Sequence, residues 1–203
     1  MTKFVSSIAA AIAIGAPAMS TAASYQIDPT HSTAQFKVRH MMVSHVRGEF
    51  TALSGTIQFD KNAPEKIAID ATVDATTINT RDAKRDGHLK SADFFDVEKF
   101  PSLTFKSKSA KAAGPNKLEV LGDLTMHGVT KTVTLVVEGL ENEVKDPWGG
   151  VRMGATGTTK VNRKDFGLNW NAALEAGGVM VGDDVTITID VELVKQAESS
   201  AAK

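Results

Sequence analysis

The feature that most limits what this chain can become is a two-residue period of apolar side chains, repeated along most of its length. Ser32, Ala34, Phe36 and Val38 alternate with Thr33, Gln35, Lys37 and Arg39. Ile67, Ile69, Ala71, Val73 and Ala75 alternate with Ala68, Asp70, Thr72 and Asp74. Leu118, Val120, Gly122, Leu124 and Met126 make another such face, as do Val133, Leu135 and Val137, then Val151, Met153 and Ala155. The last run, Val185, Ile187, Ile189, Val191 and Leu193, sets Thr186, Thr188, Asp190 and Glu192 on the other side. Successive side chains of a strand point to opposite faces, so each run predicts a strand with one dry and one wet face. Turn chemistry punctuates the runs at Asp28-Pro29, Asn62-Ala63-Pro64, Gly114-Pro115-Asn116, His127-Gly128, Asp146 to Gly150 and Gly177-Gly178. Asp183-Asp184 reads as a solvated pair in a hairpin turn.

A sheet with one dry face must cover it, and no long amphipathic helix is available to do so. The sheet therefore closes on itself or packs on a second sheet. Closure into an up-and-down barrel of about eight strands leaves an interior that side chains fill or that holds one small ligand. The inward faces carry small residues, namely Ser32, Ala34, Ala71, Ala75, Gly122, Ala155 and Gly157, beside Phe, Ile and Val. That mixture predicts an elongated apolar cavity; a sandwich with ordinary small-to-large complementarity is the alternative. One segment, 80–91, lacks β-branched residues after Thr80. It predicts a short helix with Thr80 as N-cap, kinked or ended near Gly87. On that helix Arg81, Arg85 and His88 would share one face, with Leu89 beside it. These cations could meet an anionic or carbonyl head group at a barrel mouth, or simply form a solvated helix with Asp82 and Asp86.

The N-terminal residues read as an address. Lys3 is the sole charge before Asp28, an apolar stretch runs from Phe4 to about Pro17, and small residues follow through Ala23. This is the layout of a secretory signal over residues 1–23, exported by the general route since no twin-Arg pair is present. The stretch is too short for a comfortable membrane span. The expected organisation is a signal peptide (1–23), one barrel domain (24–196) and a frayed tail (197–203), in a periplasmic protein.

Composition removes several chemistries. The 203 residues include no cysteine, which excludes disulfides, thiolate nucleophiles, iron–sulfur clusters, cysteine zinc sites and a lipid-anchored N-terminus. A formal charge of -1 argues against nucleic-acid binding. The histidines, His31, His40, His45, His88 and His127, show no metal-ligand spacing; His40 and His45 would fall on opposite faces of one regular strand. There is no nucleophile elbow and no glycine-rich phosphate loop. No catalytic residue, metal or cofactor is therefore expected. Aromatic usage is lopsided, with nine Phe against two Trp and one Tyr, which suits apolar containment better than polar recognition.

At this point the residues resemble a known family. Asp28-Pro29-x-His31-Ser32, Phe36-x-Val38-x-His40-Met41 and Val46-x-Gly48-x-Phe50 are similar to the opening of the YceI-like family. So are Ile78-x-Thr80, Arg85-Asp86-x-His88-Leu89-x-Ser91-x-Asp93-Phe94-Phe95-Asp96 and Phe100-Pro101-x-Leu103-x-Phe105-x-Ser107. Gly122-Asp123-Leu124-Thr125-x-His127-Gly128-Val129-Thr130, Asn162-Arg163-x-Asp165-Phe166-Gly167 and Gly182-Asp183-Asp184-Val185 complete the match, from about Tyr25 to Leu193. The resemblance implies a lipocalin-like, extended antiparallel β-barrel with a short helix. It implies binding of a polyisoprenoid or isoprenoid-quinone-like lipid in the periplasm, for transport, storage or stress response, without an established catalytic residue.

A polyprenyl chain is flexible and almost wholly apolar, and its burial gains about 25 cal/mol per Å2. From the alternation, Ala34, Phe36, Val38, Ile69, Val73, Leu103, Phe105, Leu124, Leu135, Val137 and Val151 are expected to face such a ligand. Leu89, Phe94, Phe95 and Trp170 are candidates for the mouth or lid, although the Phe pair could equally be core packing beneath the helix. His40, Arg85, His88 and Arg163 are candidates for the polar head group, with Arg163 alternatively pairing Asp165 or closing a turn. The expected partner is a hydrophobic small molecule, with transient contact to a membrane or a membrane donor protein and a homodimer left open. Two other readings stand beside this one: an enzyme acting on an isoprenoid or quinone head group, and a partner-binding stress domain with a filled barrel.

Overall fold

The computed structural model describes residues 22–175 and 177–197. Most of the expected signal segment (1–21) and of the expected tail (198–203) lies outside the described residues.

Among the described residues, twelve strands and one α-helix follow in order: β1 (Ala23–Ile27), β2 (Thr33–His40), β3 (Ser44–Phe50), β4 (Leu53–Phe59), β5 (Ala68–Asp74), β6 (Ile78–Asn79), α1 (Ala83–Lys90), β7 (Ser102–Gly114), β8 (Lys117–Met126), β9 (Val129–Glu138), β10 (Glu143–Lys145), β11 (Val151–Asn162) and β12 (Val181–Lys195). All pairings are antiparallel. The ring β1-β4-β5-β7-β8-β9-β11-β12 closes on itself through β1–β12, which is an eight-stranded barrel.

The remaining strands explain themselves by register. β1 and β2 lie along the same edge of β12, at Ile27↔Leu193 and Thr33↔Asp190, so they are one long strand broken at Asp28-Pro29. β3 and β4 form a second broken strand, and β5 and β6 a third, interrupted by a 3-10 turn at Ala75–Thr77. Toward the β2–β3 hairpin the wall between β6 and β7 is not closed by strand pairing; α1 and residues 91–101 occupy the space. β10 adds a short edge beside β11. Strands that repeat the alternation face the core as expected: Leu118, Val120, Gly122 and Met126 are buried on β8, and Leu193 is fully enclosed.

Several local expectations need correction. The helix is capped by Asp82, whose carboxylate accepts from the Lys84 and Arg85 amides, and it runs through Gly87 to Lys90. Thr80 is instead buried, and its amide and hydroxyl donate to Asp86. Arg81 precedes the helix with a left-handed φ of 64°, so it shares no helical face with Arg85 and His88. His40 and His45 sit on two strands, because a hairpin turns at Met41-Met42-Val43 and pairs His40 with Ser44. Asp183 and Asp184 lie in β12, at a bulge in its pairing with β2, where Asp183 meets Lys164 at 2.9 Å and Asp184 meets Lys160 at 2.6 Å.

Some of the small inward residues seat large neighbours. A methyl at Gly48 or Gly122 would collide with the rings of Phe36 and Phe105. Small-to-large complementarity therefore operates inside the barrel, alongside the cavity described next.

Candidate functional site

The barrel interior is packed at one end and hollow toward the other. Tyr25, Phe59, Leu118, Val120, Leu140, Met153 and Leu193 plug the end where β1 meets the C-terminal half of β12. Above the plug runs a cavity of about 180 Å3, to which every strand of the ring contributes. That volume is below the roughly 300–1,000 Å3 of pockets for compact drug-sized ligands. Spread from Ile27 and Ile57 to Phe94 and Leu168, it is a thin channel.

The strand parity that predicts inward residues also predicts most of its wall. Ala34, Phe36 and Val38 of β2, Ile69 and Val73 of β5, and Leu103 and Phe105 of β7 line it. Leu124 of β8 and Leu135 and Val137 of β9 do so as well. Leu89 of α1 and Phe94 and Phe95 just after it close the gap left between β6 and β7. Phe95 meets Phe50 edge-on at 5.5 Å. Val151 is not part of the wall: it pairs with Lys145 at the start of β11, one residue outside Arg152↔Val194 and so beyond the plug. Trp170 is also outside the wall; it covers Phe94 from behind, with ring centres 5.3 Å apart. Val185, Ile187, Ile189 and Val191 of β12 line the channel and were not among the expected site residues, although they carry the same alternation signal. Phe50, Leu53 and Ile57 come from strands whose alternation is short, and Leu168 comes from a loop with no period to read.

The four polar candidates divide. Arg163 does reach the wall, but it is 4% exposed and its donors are committed. Its guanidinium donates to the carbonyls of Gly182 (2.9 Å), Trp170 (2.9 Å), Val181 (3.3 Å) and Leu168. Burial lowers its pKa, with Asp183 at 3.6 Å opposing. Arg163 is therefore a strut that ties the segment following Phe166 to the start of β12 at the channel end; it pairs with Asp183 rather than Asp165. Arg85 turns back on Thr80, donating from Nε to the hydroxyl (2.7 Å) and from a terminal nitrogen to the carbonyl (2.8 Å). His88 stands at the rim, with Nε2 2.9 Å from Asp93 and its ring edge-on to Phe94 and Trp170. His40 sits at the end of β2 opposite Val181, whose carbonyl accepts from Arg163, on a different element from Arg85 and His88. The structure thus gathers Arg85 and His88 on α1, but does not bring all four to one point.

Far from the mouth, Asp28, His31 and Glu192 cluster closely enough to hold an ion. A guanidinium already fills the place: Arg152 bridges Asp28 (2.7 Å), Asp146 (2.9 Å) and Glu192. Hydrogen bonds from Thr30, then Arg152 and His31, hold the Asp28 carboxyl well below the usual carboxylate range. The cluster ties β1, β11 and β12 together at the plugged end.

A domain model described as the YceI-like domain matches residues 25–193. A UPF0312 protein of Pseudomonas putida is 38% identical over 193 residues, covering 92% of this chain and 96% of that one. Among solved structures, Burkholderia cenocepacia BcnA superposes with a TM-score of 0.71 at 23% identity, over 82% of this chain and 98% of that one. A polyisoprenoid binding domain from Saccharophagus degradans, implicated in plant cell wall breakdown, gives a TM-score of 0.62 at 17% identity, over 86% and 99%. The two structural likenesses bear on the fold. The match across nearly all the described residues, joined to the closed barrel with its helical side wall, makes this chain a member of the YceI-like family.

Proposed function

We propose that this protein binds the tail of a long, thin amphiphilic lipid, a polyisoprenoid or isoprenoid-quinone-like molecule, and contains it without chemical change. The observation that carries this reading is the channel: narrow, running most of the barrel length, and walled almost wholly by aliphatic and Phe side chains. Gln35, Thr104 and Arg163 are the polar residues of that wall, and the Arg163 donors are taken by the loop. An apolar chain needs no directional contacts along its length, and its transfer from water scales with buried area. The head group would stay at the α1 rim, near His88 and Arg85. The polyisoprenoid-binding domain of Saccharophagus degradans, with the same fold, supports the ligand class. The charged, apolar and small-residue order of the first 23 residues supports export to the periplasm, with a role in lipid transport, storage or stress response.

The test is organic extraction of the purified protein followed by mass spectrometry. A co-purifying polyprenyl lipid is expected. Protein that is repeatedly empty and takes up no polyprenol or quinone when offered them sinks the reading. Ala34→Trp, placed in the channel wall, is expected to reduce loading at least severalfold while the fold persists.

A further inference from the structure

The β2–β3 hairpin carries three large apolar residues into solvent at its tip: Met41 (43% exposed), Met42 (50%) and Val43 (79%). Met41 and Met42 hold left-handed φ values of 48° and 61°, a conformation that favours Gly or Asn.

The outer face behind the tip is basic. Register places Lys37 directly opposite Arg47, and Arg39 opposite His45. Like charges directly across a pair of strands destabilise it. Desolvation and then the charges of Arg39, Lys37 and Arg47 pull the His45 pKa down. The one carboxylate on these two strands, Glu49, is at the end away from the tip. Among the described residues no ion pair joins Lys37, Arg39 or Arg47 to an acid. The hairpin thus bears a basic outer face beside an exposed apolar point: Arg39 donates to the Met42 carbonyl at 2.5 Å, and the acids of the adjoining strand next to Gly182, Asp183 and Asp184, are paired with Lys164 and Lys160.

The tip is also coupled to the channel end. The Met41 amide donates to the Met180 carbonyl at 2.7 Å, Gly178 lies against Met42, and His40 pairs with Val181, a residue of the channel wall. Gly178 and Met180 lead directly into the start of β12, whose Val181 and Gly182 carbonyls accept from Arg163.

We propose that this hairpin docks the protein on an anionic lipid bilayer, with Met41, Met42 and Val43 entering the interface and Lys37, Arg39 and Arg47 facing the head groups. An apolar point flanked by cations has the chemistry of an interfacial anchor: hydrophobic insertion plus attraction to anionic lipid. A neutral or cationic surface offers the second half nothing. Docking at this end would set the channel mouth against the membrane. The purpose of docking rests on the lipid-binding reading, whereas its test does not.

The test is co-sedimentation of the full chain with vesicles of phosphatidylcholine alone and of phosphatidylcholine mixed with phosphatidylglycerol. Binding to the mixed vesicles is expected to be about tenfold stronger than to the neutral ones and to weaken as salt is raised. Two double variants, Met42→Asp with Val43→Asp and Lys37→Gln with Arg47→Gln, are each expected to lose about tenfold. Trp148→Ser, at an exposed turn on the plugged end, is expected to bind as the unaltered protein does. Absence of vesicle association, equal binding to both vesicle types, unchanged binding by both folded double variants, or loss in Trp148→Ser would each overturn the proposal. Circular dichroism checks folding, and either double variant alone suffices. Uptake of a fluorescent polyprenyl analogue without vesicles reads the channel separately, so a failed channel and a failed dock are told apart.

Discussion

The two ends of this barrel are built from the same kind of strand and do opposite things. At the plugged end, aromatic and aliphatic side chains of β1, β4, β8, β11 and β12 meet across the axis, and Leu193 and Val120 have no exposure. At the mouth, the side chains of β2, β7, β8 and β12 stop short of one another and leave the channel. The cover there is an assembly of pieces: α1, the Phe94-Phe95 pair, and a loop pinned by the buried Arg163 and by Asn171, whose side chain bonds the Val181 amide and carbonyl. Stability and capacity are thereby separated along the axis. Sheet closure and close packing supply the first; missing packing, tolerated above the plug, supplies the second.

Substitutions can break or sharpen that contrast. The largest effect is expected from Arg163→Leu, which leaves the carbonyls of Leu168, Trp170 and Gly182 without this donor, while Val181 keeps Asn171 Nδ2 at 2.7 Å. A loss of about 4 kcal/mol in urea denaturation is expected; a loss under about 1 kcal/mol would mean the loop holds itself and the strut account is wrong. Leu193→Ala opens a void in the plug and is expected to cost about 3 kcal/mol with lipid loading unchanged. Ile187→Ala removes a side chain that already borders empty space. It is expected to cost about 2 kcal/mol, the low end for such a truncation, and to admit bulkier tails; equal losses for Leu193→Ala and Ile187→Ala would erase the distinction between the ends.

The smallest effect is on acid sensitivity. Hydrogen bonds hold Asp28 and Asp146 below the ordinary carboxylate pKa, from Thr30 and Arg152 for the first and foremost from Arg152 for the second. Groups with depressed folded-state values add stability above the unfolded value of about 3.9, and that contribution is lost as pH falls below it. Thermal melts should therefore decline on acidification below about pH 4. Arg152→Met should flatten that slope, whereas mouth substitutions such as Ile187→Ala should leave it intact.

The fold was legible because period-2 alternation determines a face for each residue, and a dry face with no helix to cover it forces closure. Alternation gives the face but not the depth along the barrel. Val151 shows the cost: it has the parity of Ala155 and yet falls past the plug. The β12 residues Val185 to Val191 share that parity and do line the channel, so the signal was present and only their depth was not. Asp28-Pro29 marked a turn correctly, but nothing local says that the chain resumes in the same direction along the same edge of β12. Arg163 was visible as a head-group candidate and Trp170 as a mouth candidate; their roles depend on where the chain after Phe166 meets the start of β12, and no local pattern encodes that.

The break in strand pairing between β6 and β7 bears on how quickly the interior could exchange its contents. The hydrogen-bonded circuit closes below the break, through β5 and β7. A tail entering past Leu89, Phe94 and Phe95 therefore needs side chains and a short helix to shift, with no ladder bond severed. Loop and helix motions of that kind run on nanosecond to millisecond scales, whereas opening a sheet is local unfolding. Loading is expected to proceed without deprotecting the β5–β7 amides. Hydrogen exchange during uptake checks this: faster exchange at Ala71 and Val73 as lipid enters would show that the staves themselves must part.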